Sequence, residues 1–555
     1  MKRILLQTFA TLAVANNLFG QNPLIKQWDK RFGGIDGDEF HSFQQTKDGG
    51  YILGGISWSG ISGDKTQPSW DTTTNAGDYW IVKINSIGIQ QWDKRFGGTN
   101  QERFEELEQT SDGGYILGGT SSSPIGGDKT QANWDNINYT PDYWIVKIDS
   151  LGTKQWDKRF GGTFVDVLYS LQQTKDKGYI LGGVSLSDSS GDKTQVNWGG
   201  DDFWIVKVDS IGNKQWDKRF GGTGDDALVS LKQTSDGGYI LGGWSISDSS
   251  GDKTQPSKGV YDYWVVKTDS LGIKQWDKTF GGDKTDIPHS IIQTSDGGYV
   301  LGGWSVSDNT GDKSQLRWNP YDYNNPDWWV IKFDSLGIKQ WDKDLGGTAF
   351  DDEYGNVSQT FDGGYLFAGT SYSPISGDKT ENNLGNEQTW VVKTDAQGNK
   401  LWDKTLFSAT VNDDESGFAI QTKDSCYLFA NTTNSGIGGY KTEPAWGPNG
   451  DYWIVKFCDT TLATGVNFIS GSQRRLTVYP NPFSSEVSIS LYYEKLKQAT
   501  FLIHDLIGQT IFSKRENNLC STYTKTIDLS GLPSGIYFLE VISDQEKMET
   551  KIIKK

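Results

Sequence analysis

Residues Asp142–Gly162 read DYWIVKIDSLGTKQWDKRFGG, and variants of this stretch recur along most of the chain. The tryptophan of its WDK core falls at Trp28, Trp92, Trp156, Trp216, Trp276, Trp341 and Trp402, at spacings of 64, 64, 60, 60, 65 and 61 residues. So regular a period marks a repeat architecture. Working outward from residue 168, one unit runs as follows. LYSLQQT alternates apolar and polar residues, as a half-buried strand does. KDKG, elsewhere SDGG, is a tight turn in which glycine tolerates positive φ. YILGGVS is a second, more apolar strand, and a loop of about 20 residues carrying GDKTQ follows it. DFWIVKVDS is a third strand, with Phe203 and Ile205 on one face and Trp204, Val206 and Val208 on the other. SIGNK turns the chain into a fourth strand, QWDKRF, and FGGTGDDA leads into the next unit.

Four antiparallel strands per repeat predict the blade of a β-propeller, and seven units predict seven blades in an all-β domain over residues 21–457. The array opens on a fourth strand (Gln27–Phe32) and closes on a third (Asp451–Phe457). Pairing the two would close the ring; a phasing in which each blade begins with QWDK would need no such clasp. In the last unit GGY becomes Ser425-Cys426-Tyr427 at the start of strand two, and Cys458 directly follows strand three. Neighbouring antiparallel strands bring those ends together, so a Cys426–Cys458 disulfide and two free thiols both stand as readings.

With 555 residues the chain exceeds one ordinary domain, and its 23 Trp, 24 Tyr and 25 Phe provide ample core. The net charge of −17 argues against nucleic acid or an anionic membrane as partner. Residues 1–20 have the form of a signal peptide: Lys2 and Arg3, then an apolar run too short to span a bilayer. No other segment reaches the length of a transmembrane helix. Residues 458–475 read as a linker, and the alternating strands of 476–555 suit a small β-sandwich.

Two resemblances follow from these motifs. The hairpin VKIDSLGTKQWDK resembles the tryptophan-docking hairpin of quinoprotein-type propellers, which supports the fold and no catalytic role. Tyr479-Pro480-Asn481-Pro482, the Asp505…Gly508 turn, Leu532-Pro533-Ser534-Gly535-Ile536-Tyr537 and the basic end at Lys551–Lys555 resemble the C-terminal sorting domain of type IX secretion substrates. That resemblance implies the type IX machinery as partner and export through the outer membrane. The product would be released or attached to surface lipopolysaccharide, outside the cell or on its outer surface.

Long loops are commonly functional, so the GDKT face is the expected binding face. A residue present in every unit most simply serves every unit. The Asp of GDKT (Asp64, Asp128, Asp192, Asp252, Asp312, Asp378) and the acid four residues past GG (Asp38, Glu102, Asp166, Asp226, Asp286, Asp351) suit backbone capping or, as hard oxygen ligands, calcium. Residues that break the pattern are the candidate ligand contacts: Trp244, Trp304, His289 and Arg317. The loop tryptophans Trp70, Trp134, Trp198, Trp318 and Trp446 occur in five units of seven. There is no GxSxG, no HExxH, no phosphate-binding loop and no Cys/His cluster, and the three histidines are scattered. The expectation is therefore a non-catalytic binding or adhesion module for a glycan or protein. A polysaccharide hydrolase or lyase and a passive surface component are the alternatives.

Overall fold

The computed structural model describes residues 24–71, 76–135, 140–320, 325–350, 354–383, 386–408, 414–459, 475–479, 483–492, 498–505, 508–517, 522–543 and 547–554. The expected leader, residues 460–474 of the expected linker, Asp351, Pro480–Pro482 and Cys520 lie outside these. Among the described residues no helix is long and apolar enough to cross a membrane.

Residues 24–459 build seven four-stranded antiparallel sheets. In the third sheet Asp166–Gln173, Tyr179–Ser185, Asp202–Val208 and Lys214–Phe220 pair in chain order. The first, second, fourth, fifth and sixth sheets (38–96, 102–160, 226–280, 286–345 and 354–406) repeat that order. The seventh is closed by the chain's first strand: Leu24–Phe32 pairs with Asp451–Asp459, outside Tyr427–Thr433 and Asp414–Gln421. The first strands of consecutive sheets touch one another all the way round, the seventh touching the first, so they enclose an axis. The fold is an all-β propeller.

The third strand of each sheet explains the stability of the ring. DFWIVKV is buried on both faces because a sheet lies on either side. Trp204, Val206 and Val208 pack with Tyr143 and Leu168 in one core, while Phe203 and Ile205 pack with Leu228 and Trp264 in the next. The buried indole is not left unsatisfied: Trp204 Nε1 donates to Asp217 Oδ2 at 3.1 Å, and Tyr143 Oη donates to the Trp204 carbonyl at 3.0 Å. Glycine in YILGG permits this closeness, since a Cβ on Gly182 would stand 2.2 Å from Leu231 of the neighbouring sheet.

Cys426 and Cys458 are joined by a disulfide, with Cα atoms 4.2 Å apart. The ladder Tyr427↔Phe457 puts the two cysteines at adjoining strand ends, beside Ile25 of the closing strand. Closing a loop of sequence separation 32 contributes about 3–4 kcal/mol on a chain-entropy estimate. Reduction is therefore expected to lower the urea midpoint and to open the seventh sheet first, read as amide exchange over 24–32 and 451–459. Uniform loss of protection across all sheets would contradict this.

The C-terminal residues form a three-stranded sheet (Arg475–Tyr479, Glu486–Tyr492, Thr522–Asp528) and a four-stranded one (Thr510–Asn517, Gln498–His504, Gly535–Ser543, Lys547–Lys554). Val487, Ile489 and Ile527 of the first pack on Phe501, Ile503, Leu539, Val541 and Ile552 of the second, the core of a small sandwich. Tyr537 is buried at its edge and donates its hydroxyl to the Pro533 carbonyl at 2.7 Å, which pins the turn leading into Gly535. Lys554 Nζ closes the other end on the Leu529 and Ser530 carbonyls, both at 2.7 Å.

Candidate functional site

The first strand of each sheet has one unpaired edge, toward the axis. Side chains of the preceding first strand satisfy it. Leu231 N donates to Ser170 Oγ at 3.2 Å, Ile291 N to Ser230 Oγ at 3.2 Å, and Leu171 N to Glu106 Oε2 at 2.8 Å. Gln233 N likewise donates to Gln172 Oε1 at 2.6 Å. The recurrent Ser and Gln of these strands thus protect a sheet edge.

Above that level each strand carries a bulge, and a bulge re-aims one side chain. The extra residues are His41, Glu105, Tyr169, Val229, His289 and Gly355, each lying between register positions of its ladder. The chemistry of this level changes from sheet to sheet. On the side of the first three sheets it is charged. His41 Nε2 lies 3.2 Å from Glu39 Oε1, Arg103 Nε lies 2.6 Å from Glu105 Oε1, and the Arg103 guanidinium sits 5.9 Å from the Tyr169 ring centroid. Arg103 is exposed. The two carboxylates differ: the hydrogen bond from His41 holds Glu39 below the ordinary glutamate range, whereas burial pushes Glu105 up against the pull of His41 and Arg103.

The fourth and fifth sheets supply an apolar and aromatic side. Trp244 pairs with Ala227 and Tyr263, and its ring meets Tyr261 edge-on at 5.0 Å. Trp304 occupies the same rung of the next sheet, between Ile287 and Trp328. Both indoles are half-buried. His289 lies two positions further along the inner strand; it meets solvent, but enclosure by the wall pushes its imidazole down to about 4, so it is neutral at physiological pH. Lys232 Nζ reaches Glu106 Oε1 at 2.9 Å, joining the fourth sheet to the second past the third. This ion pair spans the axial space below the bulges. The bulge level thus lies over a charged pair.

Two groups of sequence candidates have other work. Arg317 is 2 % exposed; its Nε lies 3.3 Å from Asp308 Oδ1, and its Nη1 donates to the Asn325 carbonyl at 2.7 Å. It pins its own loop and presents no surface to a ligand, which corrects its expected role as a contact. It stands where Asn133 and Asn197 stand, and those amides pin theirs. The GDKT aspartates are likewise occupied. Asp128 Oδ2 accepts from Arg95 Nη1 at 2.9 Å and from Trp70 Nε1 at 2.8 Å, both in the preceding sheet. Arg95 also stacks 4.4 Å from the Trp70 ring centroid. Asp64 with Arg31 and Trp446, and Asp192 with Arg159 and Trp134, repeat the latch. Asp252 takes Arg219, Asp312 takes Lys258 and Asp378 takes Trp318. The six carboxylates therefore sit in six separate junctions. Among the described residues no group of three or more His, Cys, Asp or Glu is arranged to hold a metal ion.

Glu39, Arg103, Glu105 and Tyr169 were not among the sequence candidates. The signal that finds them is the fifth and seventh residues past GG in the first five units, which differ between neighbouring units.

Residues 477–555 match the family described as the secretion system C-terminal sorting domain. The C-terminal sandwich is thus a sorting domain, and it marks the chain for type IX export to the cell surface or the extracellular space. Part of the chain is 28 % identical over 182 residues to the regulatory protein FlaEY of Caulobacter vibrioides, covering 31 % of this chain and 19 % of that protein. The chain thus spans about a fifth of the length of that relative. Among solved structures, the NanB sialidase from Streptococcus pneumoniae is similar with 9 % identity and a TM-score of 0.36, covering 79 % of this chain and 71 % of that one. Cobalt-substituted Synechocystis ACO gives 10 % identity and a TM-score of 0.35, covering 78 % and 94 %. Likenesses this distant carry no argument about chemistry.

Proposed function

We propose that the propeller is a non-catalytic recognition module, delivered to the cell exterior by its sorting domain, that takes the end of a glycan chain into the axial pit. The observation that supports this most directly is the asymmetry of the bulge level. At this level the first three sheets carry Glu39, His41, Arg103, Glu105 and Tyr169, and the fourth and fifth carry Trp244, Trp304 and His289. Polar groups facing aromatic surface suit a sugar ring, which has hydroxyl edges and apolar faces. A folded protein partner would have to engage the rim and not the pit. After export, attachment to surface lipopolysaccharide would make the module an adhesin, and release would make it a soluble binder.

The test is a glycan panel presented to the full exported chain, with affinities measured on the hits. Arg103→Ala and the double substitution Trp244→Ala/Trp304→Ala are each expected to weaken binding by about tenfold or more with the melting temperature held. Saturable binding that neither variant changes would remove the pit as the site. The opposed shifts of Glu39 and Glu105 favour a second reading, glycosidic-bond cleavage with one carboxyl as acid and the other as base. Turnover of a panel glycan that Glu105→Gln abolishes would establish that reading in place of the first.

A further inference from the structure

At the junctions between sheets, on the long-loop face, two buried carboxyls meet. One opens the third strand of a sheet and the other opens the first strand of the next. A backbone hydrogen bond sets them side by side: Asp166 N donates to the Pro141 carbonyl at 2.9 Å, which places Asp166 beside Asp142. Asp226 N to the Asp201 carbonyl at 2.7 Å places Asp226 beside Asp202, and Asp38 N to the Gly450 carbonyl at 2.9 Å places Asp38 beside Asp451. Glu102 meets Asp78 and Asp286 meets Asp262 in the same way. All these carboxyls are at most 1 % exposed.

In each carboxyl one oxygen is well served. Asp142 Oδ2 accepts from Trp134 N at 2.9 Å, with Arg159 Nε 3.6 Å away. Asp166 Oδ2 accepts from Gly162 N at 2.7 Å and from Ser187 Oγ at 3.0 Å. In Glu102 and Asp262 both oxygens accept hydrogen bonds, but in three of the five junctions the other oxygen has none. Oδ1 is buried without a hydrogen-bond partner in Asp142 and Asp166, in Asp202 and Asp226, and in Asp38 and Asp451. A buried carboxylate oxygen without a donor is costly, and two such oxygens on adjacent like-charged groups are more so. A single proton removes both costs, because it discharges one group and supplies the missing donor.

We infer that the Asp142/Asp166, Asp202/Asp226 and Asp38/Asp451 junctions each hold one proton shared by their two carboxyls, so that the propeller carries three proton-binding sites at neutral pH. The cations facing the Asp142/Asp166 pair are engaged elsewhere. Lys129 Nζ is engaged by Ser121, Ser123 and Asn133, Lys193 Nζ by Ser187 and Asn197, and Arg159 Nη1 by Asp192. Ser185, opposite Asp166 in register, lies close enough to offset part of that carboxyl's burial, and the buried Tyr143 phenol completes the surroundings. Burial, with the neighbouring carboxylate, pushes Asp142 up to about 8, and burial pushes Asp166 up to about 6. Asp202 and Asp451 rise to about 7 and Asp38 to about 6 for the same reasons. A carboxyl raised on folding stabilises the native state fully below its unfolded pKa near ~4, and the contribution is lost as pH climbs through the folded value. Stability should therefore fall between about pH 5 and 8. Burial lowers Lys65, Lys129, Lys193 and Lys253 to about 8, so the opposite slope begins only above that.

The experiment is infrared spectroscopy of the full chain near about pH 6.5, with melting curves across the same range. A protonated-carboxyl stretch is expected at neutral pH, together with a melting temperature lower by more than about 5 °C at pH 8 than at pH 5. Asp142→Asn, Asp202→Asn and Asp451→Asn, singly and combined, should each remove part of the band and flatten the melting profile, since the amide supplies a permanent donor. A spectrum with no protonated carboxyl, or melting that does not fall over this range, overturns the inference. So does a calcium-dependent rise in melting temperature without the band, which would assign the pairs to a cation. Should the combined variant fail to fold, the wild-type spectrum still decides.

Discussion

Removing residues 24–32 abolishes cooperative unfolding of the propeller. That is the expected result, because this strand is the fourth strand of a sheet whose other three lie about 400 residues away in the chain. Its loss leaves Asp451–Asp459 as a bare edge and strips several linked contacts at once. Asp29 accepts from Trp453 Nε1 at 3.2 Å and from Thr442 N at 2.8 Å; Arg31 reaches Asp64 at 2.7 Å; Phe32 is buried in the core shared with Tyr51 and Trp80. An indole left without its acceptor inside a core costs more than the bond it loses. The measurement is near-ultraviolet dichroism during a thermal melt, followed by addition of a peptide of sequence LIKQWDKRF. Return of the sharp transition with the peptide would tie the effect to strand pairing. A truncated protein that melts sharply, within about 5 °C of the full chain, would show that the clasp does not hold the ring.

Trp204→Ala should cost about 3–5 kcal/mol, the range for deleting a large aromatic side chain from a core. The indole is fully buried, packs on Tyr143 with ring centroids 4.9 Å apart, and donates to Asp217. Trp204→Phe keeps most of the area and loses the donor, yet Asp217 Oδ2 still accepts from Thr194 N at 2.9 Å, so a smaller loss is expected. Trp198→Ala is the control. That indole is 52 % exposed and stacks 5.0 Å from Arg219, so its removal should cost no more than about 1 kcal/mol. Urea denaturation of the three variants orders them. Equal losses for Trp204 and Trp198 would mean that the third strand is not the energetic centre of the sheet.

The propeller was legible because repetition makes each part appear several times. The two-sided third strand could be read from Phe203-Trp204-Ile205-Val206 alone, and the clasp from the strand types at the two ends of the array. The candidate site was less legible for a physical reason. A bulge shifts register by one residue, so the side chain it re-aims cannot be placed by counting alternate positions, and His41, Glu105 and Tyr169 look like parts of ordinary half-exposed strands. Rarity was a poor guide at Arg317, where an unusual residue does the same structural work as the asparagines elsewhere. The shared use of carboxylates was invisible for another reason. Asp142 and Asp166 lie 24 residues apart in the chain, and only the closing of a junction sets them together.

The latches between sheets have a consequence for how a chain of near-copies assembles. Sheets this alike could dock out of order, or the ring could close with a sheet left out, and such errors are characteristic of repeat proteins. Each of the first four sheets presents to the next a cation paired with an acid: Arg95, Arg159 and Arg219 from the outer strand, and Lys258 from the long loop. The seventh sheet alone offers none at that place. Tyr440 stands where the others have Asp, and it accepts the Lys404 ammonium of the sixth sheet at 4.6 Å from its ring, with Glu381 neutralising the charge from the side. An early closure would therefore set a guanidinium or ammonium on a phenol ring with no counter-charge. The seam discriminates by chemistry against premature partners, and the number of sheets in the finished ring is written into which cation meets which neighbour.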